Sequence, residues 1–138
     1  MSIIAIIAGL TFAGVAGWLL TRRAGVLHET AAGSGATPGP DTANLGLAQD
    51  GPTVVHFSAP WCGPCAGVRR VVDQVCADLG GVAHVEIDLD SNPIAAQQFS
   101  VLSLPTTFIF DANGHQRYRA TGVPAAAALR TALEPLLA

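Results

Sequence analysis

The stretch "APWCGPCAGVRR", Ala59 to Arg70, sets two cysteines a glycine and a proline apart, and the reading of the fold turns on what Cys62 and Cys65 do there. Just before it, "PTVVHFS" (Pro52 to Ser58) is a β-rich apolar run that reads as a buried central strand. From Cys62 to Leu79, the positions Cys65, Val68, Val72, Val75, Cys76 and Leu79 recur at helical spacing, while Arg69, Arg70, Asp73 and Gln74 fall elsewhere on the wheel. The expectation is a strand that delivers both cysteines to the N-terminus of an amphipathic helix.

Three roles compete for the pair. A structural zinc site needs four ligands, usually a second CxxC or a Cys/His pair. Beyond the pair the chain offers only Cys76 and four scattered histidines, so no metal ligand is assigned. A purely structural disulfide across two residues closes too short a loop to restrict the unfolded chain much. Redox exchange has a chemical basis, because the dipole and free amides of a helix N-terminus stabilise a thiolate, the attacking species in disulfide exchange. Cys62 then attacks, Cys65 one turn later lies near enough to attack the resulting mixed disulfide, and rigid Pro64 fixes the turn between them. Cys76 returns to nearly the same helix face as Cys65 but ~16 Å further along the axis. A disulfide requires Cα atoms within about 7 Å, so Cys76 reads as a core thiol.

Further along, "VAHVEIDLD" (Val82 to Asp90) reads as a strand, and Asn92-Pro93 supplies a cap and first-turn proline for a helix through about Phe99. "PTTFIFD" and "HQRYRATG" flank an Asn113-Gly114 hairpin turn, and Pro124 to Leu137 reads as a closing helix. The order is β-α-β-α-β-β-α, an α/β fold with a mixed sheet.

The 138 residues allow one domain, and half of them are hydrophobic. The excess lies in Met1 to Leu20, which carries no charged side chain and is followed by Thr21-Arg22-Arg23. Ile3 to Leu20 would span roughly 27 Å as a helix, close to a ~30 Å hydrocarbon core. A cleaved signal peptide would carry its positive charge before the apolar run. The expectation is therefore a single-pass membrane protein. Its arginines favour the cytoplasmic side for the C-terminal domain, and the unpaired Cys76 agrees with a reducing compartment. Residues 1–23 are assigned to the transmembrane helix and basic flank, 24–43 to a flexible linker rich in Gly, Pro and Ser, and 44–138 to the globular domain. A net charge of -3 without any lysine excludes a nucleic-acid binder of the usual basic kind.

A strand, Trp61-Cys62-Gly63-Pro64-Cys65, a helix, and later Leu104-Pro105-Thr106 together resemble the thioredoxin family over roughly Pro52 to Leu137. The resemblance implies a thioredoxin-like fold and a cis peptide bond at Pro105, which faces the cysteines while Leu104 presents its backbone to substrate. It also implies that Gly122 lets the substrate chain approach and that Trp61 flanks the nucleophile, with Gly63 and Pro64 completing the substrate-binding set. No organic cofactor or metal is implied. The partners implied are protein disulfide substrates and an upstream thioredoxin-reductase-like electron donor, and the Gly-Pro dipeptide points toward reduction.

Two departures stand out. The family's first strand and helix have only Asp41 to Gly51 to form from, so that unit is shortened or absent. Where the family has a buried acid six residues before the first cysteine, this chain has His56. With an unperturbed pKa of about 6.5, a histidine is itself a candidate base for Cys65. The expected function is protein-disulfide reduction by Cys62, Cys65 and His56 at a membrane surface. The alternatives are an extracytoplasmic tethered thioredoxin serving exported protein thiols, and a non-catalytic membrane-anchored adaptor.

Overall fold

The computed structural model describes residues 14–16, 18, 25–30 and 42–138. Its elements are β1 (His28–Glu29), β2 (Thr53–Ser58), α1 (Cys65–Leu79), β3 (Ala83–Asp88), α2 (Pro93–Gln98), β4 (Thr106–Phe110), β5 (Gln116–Thr121), α3 (Ala126–Leu133) and a closing 3-10 turn, Glu134–Leu136. All six residues of β2 are buried, which requires a neighbour on each edge and a layer on each face. The sheet order β1-β5-β4-β2-β3 supplies the edges, with β3 parallel and β4 antiparallel to β2.

Side-chain alternation along β2 divides the core in two. Val55 and Phe57 enter a cluster with Leu45, Ile87, Ala96, Phe99, Phe108 and Phe110. Val54 enters the opposite cluster, formed with Val68, Val72 and Val75 of α1 and Leu129, Ala132 and Leu133 of α3. The first cluster is largely aromatic. Phe108 meets Phe57 and Phe99 edge-on at centroid distances of 5.9 and 5.5 Å, and the Arg119 guanidinium lies over the Phe108 ring, 5.1 Å from its centroid.

Several expectations are corrected in detail. The helix opens at Cys65 rather than Cys62, with Pro64 at its cap (φ -66°). Proline has no N–H and a φ already set near the helical value, so it suits the point of entry. Asn92 stands at the start of α2 but its side chain makes no cap bond; its Nδ2 donates back to Asp88 O at 3.0 Å. The last helix stops at Leu133 and tightens into the 3-10 turn that contains Pro135.

The linker expectation for 24–43 gives way at residues 25–30. There His28 and Glu29 pair antiparallel with Arg119 and Tyr118 of β5, and Leu27 packs against the second cluster. Gly25 N donates to Thr121 O at 2.5 Å and Thr30 N to Arg117 O at 2.8 Å, so the open edge of β5 is covered. Gly25 has φ +86°, and a Cβ there would meet Val123 O at 2.1 Å, so only glycine fits this approach. Residues 42–50 form turns, and among the described residues β3 is the other edge of the sheet.

The proposed transmembrane segment falls outside the described residues except for Gly14, Val15, Ala16 and Trp18, which are helical. Among the described residues no helix is long and apolar enough to cross a membrane.

Phe108→Ala should destabilise the fold by about 3–5 kcal/mol, the usual cost of emptying an aromatic core site. The urea midpoint of the purified chain reads this directly.

Candidate active site

The C-terminal end of β2 runs directly into the cysteine loop. Cys62 N donates to Ala59 O at 3.0 Å and Cys65 N to Cys62 O at 3.3 Å, winding the loop into a turn before α1 begins. Cys62 and Cys65 are joined in a disulfide with Cα atoms 5.5 Å apart. Their environments differ. Cys62 is half-buried, whereas Cys65 is only 2% exposed. A pair built this way can meet a large substrate through one sulfur alone.

Strand register brings the other expected residues to the same end of the sheet. Phe57 pairs with Thr106 across β2 and β4, and Thr106 pairs with Thr121 across β4 and β5. Pro105 and Gly122 therefore both border the end from which the cysteine loop leaves. The Leu104-Pro105 peptide bond is cis and Gly122 has φ +83°. Gly122 N donates to Pro105 O at 2.9 Å, tying the two loops together. Trp61 is 67% exposed, yet its indole Nε1 donates to Asp90 Oδ2 at 3.0 Å, which orients an otherwise free ring. Gly63 and Pro64 are exposed, and Leu104 is half-buried.

His56 is fully buried. It shares the α1-facing side of β2 with Val54 and Ser58, where α1 and β3 surround it with polar groups. Its Nδ1 lies 2.8 Å from His84 Nε2, and its Nε2 lies 3.5 Å from Glu86 Oε1. Glu86 is held by Arg69, whose Nε and Nη2 donate to its two oxygens at 2.7 and 2.5 Å, and by the Ser58 hydroxyl at 2.7 Å. His84 Nδ1 meets Asp73 Oδ1 at 2.7 Å. Burial, reinforced by His84, lowers the His56 pKa to about 4, so the ring is neutral near pH 7. The Arg69 hydrogen bonds, aided by Ser58, lower that of Glu86 to about 2, which makes it a fixed anion.

Cys76 is a free, half-buried thiol, and its pKa is raised to about 11 by burial and by Asp73. It is poorly suited to nucleophilic attack. The sequence reading missed Ser58, Asp73, His84 and Glu86. Their signal was present, since His84 and Glu86 alternate on one side of a strand and Arg69 and Asp73 stand four apart on α1, but only the β2–β3 register shows that these sets meet. Among the described residues no group of His, Cys, Asp and Glu could hold a metal ion.

The profile of the family described as Thioredoxin matches residues 42–135. A thioredoxin of Mycolicibacterium smegmatis is 37% identical over 94 residues, which is 66% of this chain and 83% of that protein. Thioredoxin 1 of a Nostoc species is 43% identical over 65 residues, 46% of this chain and 61% of that one. Among solved structures, a mutant thioredoxin from Halobacterium salinarum superposes with a TM-score of 0.61 at 27% identity, covering 75% of this chain and 97% of that one.

The histidine and the carboxylate should mark separate acid windows. With a folded pKa near 4 and an ordinary unfolded value near 6.5, His56 takes up its proton first in the unfolded state. Its contribution to stability is therefore lost as pH falls from about 6.5 to about 4. Glu86, depressed to about 2, loses its contribution as pH falls below about 4.5. In urea titrations across this range, His56→Asn should flatten the upper window and leave the lower one in place.

Proposed function

The chain belongs to the thioredoxin family, and from that premise we propose that this thiol-disulfide oxidoreductase reduces disulfides of other proteins at a membrane surface. The observation that carries the reading is the asymmetry of the pair, with Cys62 half-buried and Cys65 2% exposed beside the cis Pro105 loop. Cys62 thiolate attacks a substrate disulfide, forming the Cys62–substrate bond and expelling one substrate sulfur as a thiolate that takes a proton from solvent. Cys65 loses its proton to His56 and attacks Cys62 Sγ. The Cys62–substrate bond breaks, and the second substrate sulfur leaves with that electron pair. Two electrons have passed from the cysteine pair to the substrate, and an upstream dithiol reductase returns them.

Trp61, Gly63, Pro64, Leu104, Pro105 and Gly122 form the surface on which the substrate chain lies. Support for an anchor comes from the charge-free Met1 to Leu20 segment. The arginines after it favour a cytoplasmic domain.

Full-length protein in detergent should reduce insulin, and Cys62→Ser should abolish the activity. Cys65→Ser should stall at a mixed disulfide visible on a non-reducing gel. His56→Ala should slow release of reduced product, and unchanged rates from pH 6 to 9 would remove His56 from the mechanism. Failure of the reduced wild-type protein, with Cys62 accessible, would favour an adaptor. A membrane-impermeant thiol reagent should label Cys62 only after cells are lysed, whereas labelling in intact cells would place the domain outside.

A further inference from the structure

Both ring nitrogens of His56 lie in the core, but only one is hydrogen-bonded. Nδ1 meets His84 Nε2 at 2.8 Å, while Nε2 has no hydrogen-bond partner. His84 continues the chain through Nδ1 to Asp73 Oδ1 at 2.7 Å, and the two imidazoles stack with centroids 4.9 Å apart. Side-chain exposure rises along this line, from 0% at His56 to 14% at His84 and 59% at Asp73. The three groups lead from the floor beneath α1 to solvent.

A carboxylate only accepts, so the Asp73 contact needs a proton on His84 Nδ1. With His84 singly protonated, its Nε2 accepts from His56 Nδ1–H. The lone pair of His56 then stands on Nε2, which has no hydrogen-bond partner and lies 3.5 Å from Glu86 Oε1.

We propose that His56, His84 and Asp73 form a proton relay, carrying the Cys65 proton out to solvent when the dithiol is oxidised and back when it is reduced. This rests on the reading that His56 receives that proton. In the outward direction Cys65 S–H gives its proton to His56 Nε2, His56 Nδ1–H passes to His84 Nε2, and His84 Nδ1–H passes through Asp73 to water. The electron pair left on Cys65 Sγ forms the bond to Cys62 Sγ, and the pair of the broken Cys62–substrate bond leaves with the substrate sulfur, which is protonated by solvent. When a donor dithiol re-reduces the pair, cleavage of the Cys62–Cys65 bond leaves electrons on Cys65 Sγ, and the same protons move inward. One proton out and one back per cycle restores both tautomers without turning either ring.

The surroundings favour transit over storage. Burial, His84 and Arg69 oppose charge on His56, against the opposite pull of Glu86 and Asp73. These are the charged and titratable groups of α1 and β3 that face it, and the β4 residue directly opposite is the uncharged Thr107. A proton moved on to His84 places its charge beside the Asp73 carboxylate instead. Glu86, clamped by Arg69 and Ser58, stays an anion throughout.

The test uses the full-length protein and a peptide disulfide whose halves carry different fluorophores, so that attack by Cys62 releases one half and resolution by Cys65 the other. His84→Gln keeps an acceptor for His56 Nδ1–H but cannot pass a proton on. It should slow resolution by about tenfold, a part of the ~10²–10⁴ that positioned acid–base groups contribute, and leave attack unchanged. Asp73→Asn should slow resolution less and shift its pH profile. Resolution at the wild-type rate in His84→Gln, with His56→Ala slow, would overturn the relay while leaving His56 as the base. Wild-type rates in both would overturn both. His84→Phe, where it folds, should match His84→Gln; a slow Phe variant beside a wild-type Gln variant would reduce His84 to a positioning role and overturn the relay.

Discussion

The rest of the structure depends on β2 being buried on both faces at once. A strand in that position cannot send its polar side chains to water, so His56 and Ser58 must find partners beneath α1. Val55 and Phe57 on the other side build the aromatic cluster that fixes where β4 lies. Because β4 is fixed, the turn before it sets Pro105 beside the cysteine loop. The apolar half of one strand thus positions the chemistry served by its polar half.

The polar half is a seam rather than a single residue. Cys65, Arg69 and Asp73 recur every four residues along α1, so they share one stripe of the helix. Arg69 reaches over to Glu86 and Asp73 to His84. An Arg–Glu ion pair and an imidazole–carboxylate hydrogen bond therefore close the two sides of the seam around His56, which itself is neutral. Burying a lone charge there would be costly, whereas a neutral ring hydrogen-bonded through Nδ1 is tolerated. This explains how a histidine can occupy the position where the family carries an acid without unfolding the core.

The cysteine pair, its helix, the cis proline and the element order were legible in the sequence because each rests on local pattern or on a motif. The partners of His56 were not. Arg69 and Asp73 look like the solvent side of an amphipathic helix, and only the pairing of His56 with Glu86 across neighbouring strands brings them over it. The strand β1 was hidden for a different reason. Two residues give no periodicity, and its pairing is dictated by the open edge of β5 more than by its own sequence. The start of α1 was misplaced by three residues because apolar spacing does not distinguish a winding turn from the helix it enters.

Gly25 stands against Val123, beside the glycine that bonds Pro105, so the chain joins the domain at the rim of its own reaction site. On the proposed anchoring, Leu20 and Gly25 are five residues apart, a leash of no more than about 17 Å when fully extended. Residues 31–41 lie beyond that point and cannot lengthen it. If the proposed anchor holds, such a short leash would confine the reactive sulfur to a thin shell above the bilayer, where effective concentration would be high for disulfides carried by other membrane-bound chains and negligible for those held far above it. Selectivity would then arise from where the enzyme is allowed to search, without any contact that recognises a particular sequence.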